Sequence, residues 1–190
     1  MASELARQLK VIRACEEAVE WSKDYDSLAG AWQKCERGDW MLWLCGTMEG
    51  RQGWPTRQQI VLAACDCAEL ALPTYEKKYP DDKGVRNCIE VTRRWANGEA
   101  TIDEVRSARN AAADYADAAY AYAAADAAYA YATYAAYAAY ATYAAYAADA
   151  YATYAAYAAA DAAARLRTLK DCADICRKRL TIPDSIERRK

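Results

Sequence analysis

At 190 residues the chain is long enough for one ordinary domain plus an appendage, or for one elongated domain. It is 55% hydrophobic, carries a formal net charge of −2 and contains no His, which removes the commonest general base, the usual zinc partner and every Ser-His or Cys-His nucleophile pair. That charge points to neither nucleic acid nor a membrane surface as partner, and no window reaches the roughly 20 apolar residues of a membrane span.

Taken in order, the opening MASELARQLK is polar and lacks the apolar run of a signal peptide, so a cytoplasmic address is expected. Ser3 is placed to cap a first helix running to about Lys23, with Leu5, Leu9, Ile12, Cys15 and Val19 on one face and Trp21 extending it. Ser27 opens a shorter helix with Leu28, Trp32 and Cys35 buried and Gly38 as its stop. Asp39 then caps a third helix, Trp40 to about Met48, the most apolar piece of the chain and the expected central core helix, with Trp40, Trp43 and Leu44 sharing a face. Thr56 caps a fourth, with Ile60, Ala63, Ala64, Cys67 and Leu70 inward and Pro73 as its end. After a turn at 80–84, a fifth helix spans roughly Val85 to Ala96, places Ile89 and Trp95 inward and stops at Asn97-Gly98. No period-two alternation is visible, so strands are not expected.

Thr101 and Glu104 have capping-box spacing, and no helix breaker follows Ile102 until Pro183. Residues 111–164 are built almost wholly from Ala and Tyr, and the octet ATYAAYAA starts at Ala132, Ala141 and Ala152. Alanine is the best helix former and Tyr costs only a few tenths of a kcal/mol against it, so this arm is expected to be helical. Net charge is −5 over 101–164 and +5 over 165–190, the order that complements the dipole of one long helix. Packing argues the other way. Tyr131, Tyr134, Tyr137, Tyr140, Tyr143 and Tyr146 recur every three residues, and each step falls about 60° short of a full turn, so the rings spiral around the cylinder. Either the arm folds back on itself or its rings meet another molecule. These six, with Tyr154 and Tyr157, are the candidate self-association or partner surface. Single-base relations among the Ala, Asp, Tyr and Thr codons also allow a slipping nucleotide repeat to have generated the tract. Beyond it, Leu166, Leu169, Ala173, Cys176 and Leu180 form an apolar stripe that needs a partner surface.

No catalytic constellation emerges. Glu16, Glu17 and Glu20 fall on the solvent side of the first helix, and the glycines at 46, 50 and 53 lack the Lys and preceding strand of a phosphate loop. Trp40 and Trp43 can serve as interface anchors, although their helical spacing in the most apolar segment favours core. Cys65/Cys67 and Cys172/Cys176 lack the usual two-residue zinc spacer, and nothing in the sequence brings the two pairs together. Reduced, buried thiols are expected for them, with no metal and no cofactor.

The elements ACEEAVEW (Ala14 to Trp21), AWQKCERGDWMLWL (Ala31 to Leu44), AACDCAELALP (Ala63 to Pro73) and LKDCADICRK (Leu169 to Lys178) resemble the Imm-5-like immunity proteins. That resemblance implies a helical protein with a variable Ala-rich segment before its last helix. It also implies a protein partner, a toxin bound and blocked stoichiometrically in the cytoplasm, and no enzymatic activity. The expected architecture is all-α: a helical domain over 1–100, the Ala/Tyr arm over 101–164 (continuous or folded back), an amphipathic closing helix over 165–182 and a charged tail over 183–190. The alternative function is a structural protein that self-assembles through its arm.

Overall fold

The computed structural model describes residues 3–118 and 162–186. Among them lie eight α-helices and no strand. Helix α1 is Glu4–Val11, capped by Ser3, whose hydroxyl accepts from the Ala6 amide at 3.2 Å. The expected single helix to Lys23 is in fact two. Arg13 takes the left-handed conformation (φ 65°), its amide bonds the Lys10 carbonyl, and the Ala14 amide bonds that of Leu9 at 3.0 Å. These are the two bonds of a Schellman stop, made here around an Arg. The chain then reverses into α2 (Glu16–Trp21) and a 3-10 turn, Ser22–Asp24. The reversal brings Trp21 back towards Leu5 and Leu9; a straight rod would have carried it away.

Helix α3 is Leu28–Lys34, with the Ser27 hydroxyl accepting from the Gly30 amide. It ends before Cys35, and Gly38 opens the next helix, α4 (Gly38–Met48), where a stop was expected. Packing explains this: a Cβ on Gly38 would lie 2.4 Å from the Cys172 Cβ, so only glycine allows the last helix to lie this close. Asp39 is no outside cap either. It sits in the first turn of α4, 2% exposed, paired with Arg37.

Helix α5, Arg57–Lys78, starts with the full Thr56–Gln59 capping box and runs through Pro73, the residue expected to end it. Pro73 is exposed and so is Glu69, whose carbonyl loses the Pro73 amide, so water can take the missing bond. Leu70, expected inward, is 40% exposed. Helix α6 is Gly84–Ala96, its first amide held by Asp82 at 2.7 Å and its end set by Gly98 at φ 79°. Helix α7, Ile102–Ala118, begins with the expected Thr101–Glu104 box. Helix α8 is Ala162–Arg179. Its Leu169, Ala173 and Cys176 are buried as expected, as is Leu180 beyond it, while Leu166 is 65% exposed.

Two cores share α5. Val61, Ala64, Cys65, Ala68, Leu72 and Tyr75 face α6 and α7. Ile60, Ala63 and Cys67 face an adjoining direction, into a core completed by α1, α3, α4 and α8. A helix buried over so broad an arc has no narrow apolar stripe, which is why α4, richer in Trp and Leu, looked more central. The shared helix also settles the course of the arm at its ends. A straight helix over 102–180 would hold Val105 and Cys176 about 105 Å apart, yet Val105 packs in the cluster of Cys65, and Cys176 in that of Cys67. Both residues therefore pack against a single 22-residue helix, a separation that one straight helix over 102–180 does not allow; the rest of the arm, 119–161, lies outside the described residues.

Candidate partner-binding site

An apolar cleft of about 50 Å³ opens where α1 to α4 converge. Leu5, Leu9, Ala31 and Leu44 form its floor, and Trp21, Trp40 and Trp43 stand at its sides, half-buried where core positions were favoured for Trp40 and Trp43. Trp21 is the hinge of this aromatic group, with its ring centroid 4.4 Å from that of Tyr25 and 5.9 Å from that of Trp40, both tilted. Such tilted pairs are worth about 1 kcal/mol beyond their buried area.

Arg37 fixes the outer edge. Its guanidinium lies 4.3 Å from the Trp40 ring centre and donates to Asp39, with Nε at 2.8 Å from Oδ1. It also reaches Glu17 at 3.5 Å. One side chain thus ties α2, the α3–α4 connection and the half-buried Trp40 indole into one unit. Arg177 of α8 supports the same corner from below, donating to the carbonyls of Trp32 (3.2 Å) and Cys35 (2.7 Å) at the frayed end of α3. Glu16, Glu17 and Glu20 are exposed on α2, as the sequence pattern requires, and give this rim an acidic side.

The lining of the cleft is apolar apart from the Cys35 thiol, which burial pushes up to about 11. Among the described residues no group of three or more Cys, Asp or Glu is arranged to hold a metal ion, and no helix is long and apolar enough to cross a membrane. Tyr131, Tyr134, Tyr137, Tyr140, Tyr143, Tyr146, Tyr154 and Tyr157 lie outside the described residues. The two cysteine pairs do meet, though incompletely. Cys67 shares a core with Cys172 and Cys176, while Cys65 points into the other core towards the Ile89 carbonyl. Arg37 and Tyr25 were missed as rim residues; the signals were their spacing to Trp40 (three residues) and Trp21 (four).

A family model described as Imm-5 like putative immunity protein matches residues 55–180, two thirds of the chain. The chain belongs to that family. The match runs from just before α5 to the end of α8 and spans the arm, so it covers the shared helix and both of its faces. Helices α1 to α4, which build the aromatic cleft, precede it. No curated protein and no solved structure matches the chain significantly.

Proposed function

We propose that the chain is an immunity protein that binds a protein toxin in the cytoplasm and blocks it stoichiometrically, without catalysis, and that the cleft of α1 to α4 is where it grips. The family supports the general role. The observation that carries the location is the half-exposed set Trp21, Tyr25, Trp40 and Trp43 held in place by Arg37. Trp, Tyr and Arg are the residues that concentrate binding energy at protein interfaces, and they do so when set around a desolvated pocket. The preferred ligand is a protruding apolar side chain flanked by basic groups, because the neighbouring α2 presents Glu16, Glu17 and Glu20. On this reading residues 119–161 are a spacer between α7, which is part of the helical domain, and the closing helix.

The test is rescue of cells from a toxin encoded beside the gene. Wild-type chain is expected to rescue, and W40A/W43A to lose at least tenfold in affinity and fail to rescue while keeping a cooperative melt. Full rescue by that variant would remove the cleft from the interaction, and absence of rescue by the wild type would remove the toxin-binding role.

A further inference from the structure

Five of the eight cysteines crowd the meeting point of α3, α4, α5 and α8: Cys35, Cys45, Cys67, Cys172 and Cys176, all buried in one core. Three of them converge: Cys67 of α5 neighbours both Cys172 and Cys176, which stand one turn apart on α8. The Cys176 thiol also donates to the Gly38 carbonyl at 3.9 Å, and Cys172 lies directly over Gly38.

We propose that Cys67 with Cys172 and Cys176 is an oxidation site, in which a small peroxide joins Cys67 to either α8 cysteine in a disulfide that ties the closing helix to α5. The step balances. The thiolate sulfur of one cysteine attacks a peroxide oxygen and the O–O bond breaks, leaving a sulfenic acid and, after protonation, one water. The neighbouring thiol then attacks that sulfur, the S–O bond breaks, and a second water departs as the S–S bond forms. Two thiols and one hydrogen peroxide give one disulfide and two waters, with two electrons passing from sulfur to oxygen.

Access sets the rate. Cys67, Cys172 and Cys176 are all fully buried. Burial raises the Cys176 thiol, and for Cys172 the neighbouring Cys67 acts in the same direction as burial, so the docked cluster holds little thiolate. Oxidation therefore proceeds when α8 lifts. At its edges α8 is held by the exposed pair of Lys170 with Glu36 at 2.7 Å, which is weak, and by the stronger bonds of Arg177 to the Trp32 and Cys35 carbonyls and of Arg179 to Asp66, so lifting is rare and oxidation slow. Once formed, the bond encloses α6, α7 and the whole arm in a loop from 67 to 172 and removes much of the unfolded chain's freedom.

The test is peroxide treatment of the reduced full-length chain, followed by alkylation under denaturing conditions and tryptic mapping without reductant. The expected product joins residues 58–77 to residues 171–177 and is two hydrogens lighter than the sum of the peptides. It persists in C65A, in C172A and in C176A, and is absent from C67A and from C172A/C176A. If C67A does not fold, the double variant on α8 makes the same distinction. The linked chain is expected to melt roughly 10 °C higher, a gain erased by dithiothreitol. A link that survives in C67A, a link from residues 58–77 to the Cys88 peptide, or full alkylation of Cys67, Cys172 and Cys176 after treatment well past the dose that oxidises exposed Cys15 would each overturn the proposal.

Discussion

Gly38→Ala is the sharpest test of the packing that brings the last helix home. The added methyl would lie 2.4 Å from the Cys172 Cβ, 2.6 Å from the Ala173 amide nitrogen and 2.7 Å from the Cys172 carbonyl carbon. Two of these three atoms are backbone, so no rotamer change relieves the clash. Carbon atoms pack at about 3.5–4.0 Å, so α8 must retreat by roughly 1 Å or more. A gap of that size forfeits a quarter to a half of each contact across it. The face that loses contact is Leu169, Cys172, Ala173, Cys176 and Leu180, whose two leucines alone are worth about 2 kcal/mol each on burial. Adding the smaller residues, the expected loss is about 3 kcal/mol, within the range for overpacked cores. For a chain of this size that is a fall of about 6–12 °C in Tm. The control is Gly30→Ala, whose new methyl meets only the Ser27 hydroxyl at 3.1 Å, an oxygen that needs to give by only a few tenths of an ångström while keeping its bond to the residue-30 amide; it is expected to leave Tm unchanged or raise it slightly. Gly84→Ala is intermediate, with the Ala112 Cα at 3.3 Å. Thermal melts and urea midpoints would rank the three. Limited proteolysis after Arg167 and Lys170 would show whether α8 has left its seat. A Gly38→Ala melt within 2 °C of the parent would refute the close approach of α4 and α8.

Arg13→Gly is expected to stabilise the chain by about 1 kcal/mol, since glycine occupies the left-handed stop of α1 without a Cβ penalty; a lower urea midpoint would contradict the Schellman turn. Asp66 accepts from Arg93 at 2.6 Å and is also paired with Arg179, so it links α5 to both α6 and α8. Asp66→Ala should cost about 2 kcal/mol, and a double-mutant cycle with Arg179→Ala should show coupling above the few tenths typical of an exposed pair. Deleting residues 119–161 across a short flexible joint is expected to leave toxin rescue intact. A drop from oligomer to monomer in light scattering would instead assign the tyrosines to self-association.

Local signals in the sequence are accurate where a side chain acts on its own backbone. Ser3, Ser27, Thr56 and Thr101 all cap as their spacing requires, because capping depends on three or four residues and nothing distant. The same signals mislead where tertiary contacts decide. Gly38 resembles a helix stop until α8 is laid across it, Pro73 resembles an end until its lost bond is seen to face water, and Arg13 gives no sign of a turn. The candidate site was half legible. The apolar DWMLWLCG segment marked the region, but which indoles stay open depends on α2 turning back over α1, a contact set by Arg13. The convergence of Cys67 with Cys172 and Cys176 spans more than a hundred residues, and no local pattern encodes it.

The seating of the two helices that flank the repeat bears on how one fold accommodates its length. Its two described ends are held independently: Val105, Ala108 and Ala112 of α7 in one core, Leu169, Cys172 and Cys176 of α8 in the other. Neither seat requires a particular number of residues between Ala118 and Ala162, only that the chain return. The entropic cost of closing a flexible connection grows as the logarithm of its length, so each doubling costs about 0.6 kcal/mol. Inserting a further copy of residues 141–151 adds eleven residues to 43, which on that scale costs about 0.2 kcal/mol. The melt is therefore expected to move by less than about 1 °C. A fall of several degrees would show that the repeat packs in a fixed register against the two cores, and the arm would then be part of the fold and not a spacer.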